Sequence, residues 1–89
     1  MKHCYLEVTF RKGRALAAYY YLPRRGTESS ARTERFEGGF IVDYASDGTA
    51  IGIEITAPSR LDISQLNRIL ERIGHEPVAR EDLAPLVAA

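Results

Sequence analysis

The sequence predicts an α+β fold: a four-stranded antiparallel sheet of two β-hairpins, followed by one C-terminal helix packed on one face. Two pairs of segments with a two-residue side-chain period flank the turn-forming dipeptides Lys12-Gly13 and Asp47-Gly48. A later segment has apolar residues at helical spacing. With 89 residues, the chain is read as one domain, 1–89. A chain of this length buries roughly 60–65% of its unfolded surface, which leaves a thin core.

In the first predicted strand, Cys4, Leu6, Val8 and Phe10 share one face, while Tyr5, Glu7, Thr9 and Arg11 share the other. Lys12-Gly13 supplies the turn, and a second strand runs from about Arg14 to Leu22. With those two residues as the loop, Phe10 faces Ala15, Val8 faces Ala17 and Leu6 faces Tyr19. A three-residue loop with a bulge would shift this register by one and exchange the faces of the second strand. Pro23 ends that strand because it cannot donate to a ladder. The polar stretch from Pro23 to Ala31 reads as a loop.

Phe36 to Ala45 and Ala50 to Ala57 are the third and fourth predicted strands, joined through Ser46-Asp47-Gly48-Thr49. With Asp47-Gly48 as the loop, Tyr44 opposes Ile51, Val42 opposes Ile53 and Phe40 opposes Ile55, which puts six large apolar side chains on one face. Gly38-Gly39 suggests a bulge or bend at the start of the third strand, and Pro58 closes the fourth. A helix then starts at Asp62, with Gln65 three residues on. Ile63, Leu66, Ile69, Leu70 and Ile73 form its apolar stripe, and Asn67, Arg68, Glu71 and Arg72 its wet side. Gly74 stops it. The stripe is expected to pack on Phe40, Val42, Ile51, Ile53 and Ile55. Arg80 to Val87 offers a short second helix through Leu83, Leu86 and Val87, against which Pro85 argues.

The formal net charge is zero, from 12 basic and 12 acidic residues, which argues against a general nucleic-acid or membrane-surface binder. Residues 1–35 hold 8 Lys and Arg against 3 Asp and Glu, and residues 36–89 hold 4 against 9. The single cysteine, Cys4, excludes an intramolecular disulfide. The N-terminus lacks an apolar stretch of signal-peptide length, and no apolar run approaches the roughly 18 residues that span a bilayer. The expected location is cytoplasmic.

From Phe40 to Ile55 the sequence reads Phe-Ile-Val-Asp-Tyr-Ala-Ser-Asp-Gly-Thr-Ala-Ile-Gly-Ile-Glu-Ile. This segment resembles the hallmark of the small prokaryotic domain of unknown function 2283: valine-aspartate-tyrosine, a turn with aspartate-glycine, then glycine-isoleucine-glutamate-isoleucine. The resemblance covers roughly residues 5–60 and implies the order hairpin, hairpin, helix. It implies no established activity, and an encoding near small toxin-like proteins in some bacteria. The first hairpin departs from the family, with a basic Arg11-Lys12-Gly13-Arg14 turn where members carry an acidic one.

Among candidates for chemistry, Asp43 and Glu54 fall diagonally on the face away from the Phe-Val-Tyr set, where two carboxylates serve acid/base work or a metal only with a cleft and a shifted pKa. Without them the pair is two solvated charges on a sheet. His3, Cys4 and His75 lack the spacing of a zinc site, and His75 suits the end of the helix. The glycines make no phosphate loop. No metal and no cofactor is implied. Tyr19, Tyr20 and Tyr21, with Arg24 and Arg25, have the composition of an interface hot spot, although tyrosine also simply suits strands.

The leading expectation is a small non-enzymatic protein-interaction module, accessory or antitoxin-like, with a protein partner or as a homodimer that uses an open sheet edge. One alternative is a small-ligand binder or enzyme using Asp43 and Glu54. Another is a weak nucleic-acid binder through Arg11, Lys12, Arg14, Arg24 and Arg25 of the basic N-terminal half.

Overall fold

The computed structural model describes residues 4–23 and 29–87, and of Val87 the backbone alone. The chain runs β1 (Tyr5–Arg11), β2 (Arg14–Tyr21), β3 (Arg32–Phe36), β4 (Phe40–Tyr44), β5 (Ala50–Ile55), a 3₁₀ turn (Pro58–Arg60), α1 (Ile63–Arg72), a second 3₁₀ turn (Arg80–Leu83) and a single helical turn, α2 (Ala84–Val87). The strands form one antiparallel sheet in the order β1-β2-β5-β4-β3. The architecture is α+β, with both expected hairpins. The sheet has five strands rather than four, and a second, one-turn helix follows α1.

The additional strand is β3. The sequence predicts one continuous strand over Phe36 to Ala45, but the chain reverses at Glu37-Gly38-Gly39 and pairs Phe36 with Phe40. Gly38-Gly39 is therefore a hairpin turn and not a bulge. Arg32 and Glu34 lie on the same face as Phe36, opposite Tyr44 and Val42. The polar pattern of β3 hid the strand.

Both hairpins carry a one-residue shift. In the first, Lys12 and Gly13 form the two-residue loop, both with positive φ, and Arg11 pairs with Arg14 and Phe10 with Ala15 as expected. Leu16 is then left over, so Val8 meets Ala18 rather than Ala17, and Leu6 meets Tyr20 rather than Tyr19. The shift turns Ala18 and Tyr20 inward and Tyr19 and Tyr21 outward. In the second hairpin, the Gly48 N–H donates to the Ala45 carbonyl at 2.9 Å, and Gly48 takes φ +89. The loop thus has three residues instead of two, and Tyr44 pairs with Ala50. Ile51 is skipped, and the pairing then resumes in the expected register, with Asp43 opposite Gly52, Val42 opposite Ile53 and Phe40 opposite Ile55. Ile51 leaves the six-residue apolar set. It is buried outside the main core, on the other face, beside Tyr21 and Ser30.

The main core lies on one side of the sheet. Ala18, Tyr20, Leu22, Phe40, Val42, Tyr44, Ile53 and Ile55 meet Leu66, Ile69 and Leu70 of α1, together with Val78, Leu83 and Leu86 of the tail. Ile63 and Ile73 pack at its margin. The Asp62 side chain caps α1 by accepting from the Gln65 N–H at 3.3 Å. At the other end, the His75 N–H donates to the Leu70 carbonyl at 2.8 Å and the Gly74 N–H to the Glu71 carbonyl at 3.1 Å, with Gly74 at φ +81. This paired C-terminal cap needs a left-handed residue, which glycine supplies without a Cβ penalty. Asn67, expected on the wet side, instead ties down the tail. Its amide donates to the Val78 carbonyl at 3.2 Å and its carbonyl accepts the Val78 N–H at 2.8 Å. Pro85 sits in the first turn of α2, where no N–H is required.

Candidate functional site

α1, the second 3₁₀ turn and α2 pack on one face of the sheet, and among the described residues no helix lies on the opposite face. Two rows of side chains cross that face from β1 to β3. The first is Tyr5, Tyr21, Gly52, Asp43 and Thr33, and the second is Glu7, Tyr19, Glu54, Ile41 and Arg35.

The three tyrosines on these rows form one cluster. Tyr5 stacks on Tyr21 with ring centroids 4.3 Å apart, and Tyr19 meets Tyr21 edge-on at 4.6 Å. The Tyr19 hydroxyl donates to Asp43 Oδ2 at 2.6 Å, and the Tyr21 hydroxyl donates to Glu7 Oε1 at 3.1 Å. Tyr19 reaches Asp43 by lying across β5, and Gly52 makes this possible because a Cβ there would run into the Tyr19 ring. Aromatic faces and carboxylates thus alternate over β1, β2, β5 and β4. Two shallow hollows indent the surface. One, of about 320 Å³, lies between Glu7, Tyr19, Tyr21, Ser30 and Ile51. The other, of about 140 Å³, has Ala17 and Ala18 in its lining, with Glu7, Tyr19 and Glu54 around them.

Tyr19 and Tyr21 stand on this face. Tyr20 does not, since it is buried in the core. Its inclusion in an interaction surface is corrected by the β1/β2 bulge, which fixes which tyrosines point outward. Burial, followed by the Cys4 side chain, pushes the Tyr20 phenol above its ordinary range. Arg24 and Arg25 lie outside the described residues. Arg11, Lys12 and Arg14 gather at the tip of the first hairpin, beyond the carboxylates. Asp43 and Glu54 occupy the expected diagonal, opposite Gly52 and Ile41, and Asp43 is engaged by Tyr19. Cys4 is exposed at the start of β1, and His3 lies outside the described residues. Among those residues, no group of three His, Cys, Asp or Glu side chains is placed to hold a metal ion.

Tyr5 and Glu7 were missing from the expected site. Alternation along β1 puts them on one face, but joining them to Tyr21 and Tyr19 requires the bulged register, in which Tyr5 pairs with Tyr21 and Glu7 with Tyr19.

On the core side, a cleft of about 510 Å³ opens between the second hairpin's tip and the end of α1, with Tyr44, Thr49, Arg72 and His75 in its lining. The Arg32 guanidinium lies 4.1 Å from the centroid of the Tyr44 ring, and the Tyr44 hydroxyl donates to Glu34 at 2.8 Å. Burial first, and the bond to Glu34 second, raise the Tyr44 phenol above 10.0. These contacts account for the inward-facing charges of β3.

No family model, no curated protein and no solved structure matches the chain. No helix among the described residues is long and apolar enough to cross a membrane.

Proposed function

We propose that the protein is a non-enzymatic interaction module whose protein partner docks on the helix-free face of the sheet. The observation that supports this most is the Tyr5/Tyr21/Tyr19 cluster, in which Tyr21 and Tyr19 bond Glu7 and Asp43 and Tyr5 stacks on Tyr21, on a face that no described helix covers. Tyrosines whose hydroxyls are already bonded lose little rotamer freedom on binding, and they present large amphipathic area. In this reading Asp43 and Glu7 are positioning residues.

The test is affinity capture of a partner by the tagged protein, compared across variants of unchanged melting temperature. Tyr21→Ala and Tyr5→Ala are expected to weaken capture by about tenfold or more, as for hot-spot aromatics. Asp43→Asn combined with Glu54→Gln is expected to leave capture largely intact, because an amide still accepts from Tyr19. If the carboxamide pair abolishes function and the tyrosine variants do not, the rival reading, a small-ligand binder or enzyme using Asp43 and Glu54, replaces this one.

A further inference from the structure

We infer that the free edge of β1 is a self-pairing surface, on which a second copy of this chain adds its own β1 antiparallel about a two-fold axis at Val8. β1 and β3 are the two edges of the sheet, and they differ in kind. β3 reads Arg-Thr-Glu-Arg-Phe. Pairing it with itself about its middle residue sets Glu34 against Glu34, and its charges are of the sort that protect an edge. β1 reads Tyr-Leu-Glu-Val-Thr-Phe-Arg, with a single charge before its last residue. Tyr5 is 48% exposed and Phe10 51% exposed, two of the three exposed large apolar side chains among the described residues.

The backbone fixes which residues offer hydrogen bonds. Arg11 and Arg14 close a two-residue loop, so they form a hydrogen-bonded pair and Arg11 points its N–H and C=O at β2. Alternation then turns the N–H and C=O of Phe10, Val8 and Leu6 outward, to the free edge. An axis at Val8 pairs these residues with one another: Val8 with Val8, and Leu6 with Phe10 twice. That gives about six backbone hydrogen bonds.

The side chains agree with the same axis. On the core side, Phe10 covers Leu6 of the second copy. On the outer face, Thr9 sits opposite Glu7, and Arg11 opposite Tyr5, a cation over an aromatic ring. An axis at Glu7 would set carboxylate against carboxylate and hydrogen-bond only Leu6 with Val8, leaving Phe10 unused and about four bonds in place of six. An axis at Leu6 or Phe10 would run one end of the strand past its partner. The Val8 axis alone uses all three open residues and pairs every side chain with a compatible one. The inference rests on the backbone groups of the edge, and although Tyr5 and Glu7 also belong to the tyrosine face, it does not depend on the docking reading.

Sedimentation equilibrium over a concentration series, with amide hydrogen exchange at each end of it, tests the pairing. A species of twice the chain mass is expected, with Leu6, Val8 and Phe10 amides protected only at high concentration. Thr9→Glu, at an exposed position, brings two like-charge pairs against Glu7 and is expected to weaken dimerisation by about tenfold. Adding Glu7→Lys to it replaces repulsion with attraction and is expected to restore the dimer. A chain that stays monomeric at millimolar concentration overturns the inference. So does a dimer in which those three amides exchange freely, or one indifferent to Thr9→Glu while its melting temperature is unchanged. Partner capture by Tyr21→Ala is a separate readout, so failure of one inference leaves the other standing.

Discussion

Gly52 matters for the side chain it leaves out. Tyr19 crosses that position to reach Asp43 at 2.6 Å, and a Cβ at 52 would meet the far end of the Tyr19 ring and not backbone. Gly52→Ala should therefore swing the ring away at the cost of its hydrogen bond, about 1–2 kcal/mol, rather than distort β5. A double-mutant cycle with Asp43→Ala checks this: the two changes should be strongly sub-additive in urea melts, because each removes the same bond. Tyr44 makes a different prediction. Its phenol is raised in the folded state by burial and by Glu34, so the stability linked to its protonation is full below pH 10 and declines as pH rises beyond it. Tyr20 is shifted in the same direction, again mainly by burial. Melts from pH 8 to 11 should show stability falling above about pH 10, and Tyr44→Phe should flatten part of that slope while lowering stability at neutral pH through the lost bond to Glu34.

At the scale of elements, one side chain of α1 ties down the backbone where the tail begins. Asn67 on α1 satisfies both backbone groups of the buried Val78, and beyond Val78 the chain carries Leu83 and Leu86 into the core. Asn67→Leu leaves a buried N–H and C=O without partners and is expected to cost about 2–4 kcal/mol. Hydrogen exchange should show residues 78–87 opening before the sheet does; uniform opening would show that the tail is held by its leucines. Nothing in the spacing of α1 marked Asn67, because a polar residue beside an apolar stripe ordinarily faces water. The caps were legible, since Asp62 and Gly74 act through short-range backbone geometry that each residue type dictates. So was the pairing of Phe40 through Asp43 with β5, where two alternating apolar strands select one register. β3 was not legible, because its inward Arg32 and Glu34 are answered by Tyr44 from the neighbouring strand. The register of β2 was not legible either. Arg-Ala-Leu-Ala-Ala-Tyr-Tyr-Tyr has no alternation of its own, and the bulge at Leu16 decides its faces.

For the molecule as a whole, that bulge divides the core from the open face between adjacent residues. The N-terminal hairpin joins the rest of the sheet along one seam, where Ala18, Tyr19, Tyr20 and Tyr21 pair with Ile55, Glu54, Ile53 and Gly52. Tyr20 puts its ring into the core beneath this seam, and Tyr19 and Tyr21 put theirs on the open face above it. A domain of this size has about 4–13 kcal/mol of stability in total, and truncating a buried aromatic costs about 3–5. Tyr20→Ala should therefore lower the urea midpoint severely or unfold the chain, and any loss of partner binding should track the unfolded fraction. Tyr21→Ala gives up a stacked and an edge-on ring contact and an exposed hydrogen bond, about 1–2 kcal/mol. It should stay folded at 25 °C and lose binding all the same. Urea melts and partner titrations on the same two preparations distinguish the outcomes. If Tyr21→Ala binds normally while folded, the tyrosine face is only a structural ladder on the sheet, and recognition belongs elsewhere on the molecule.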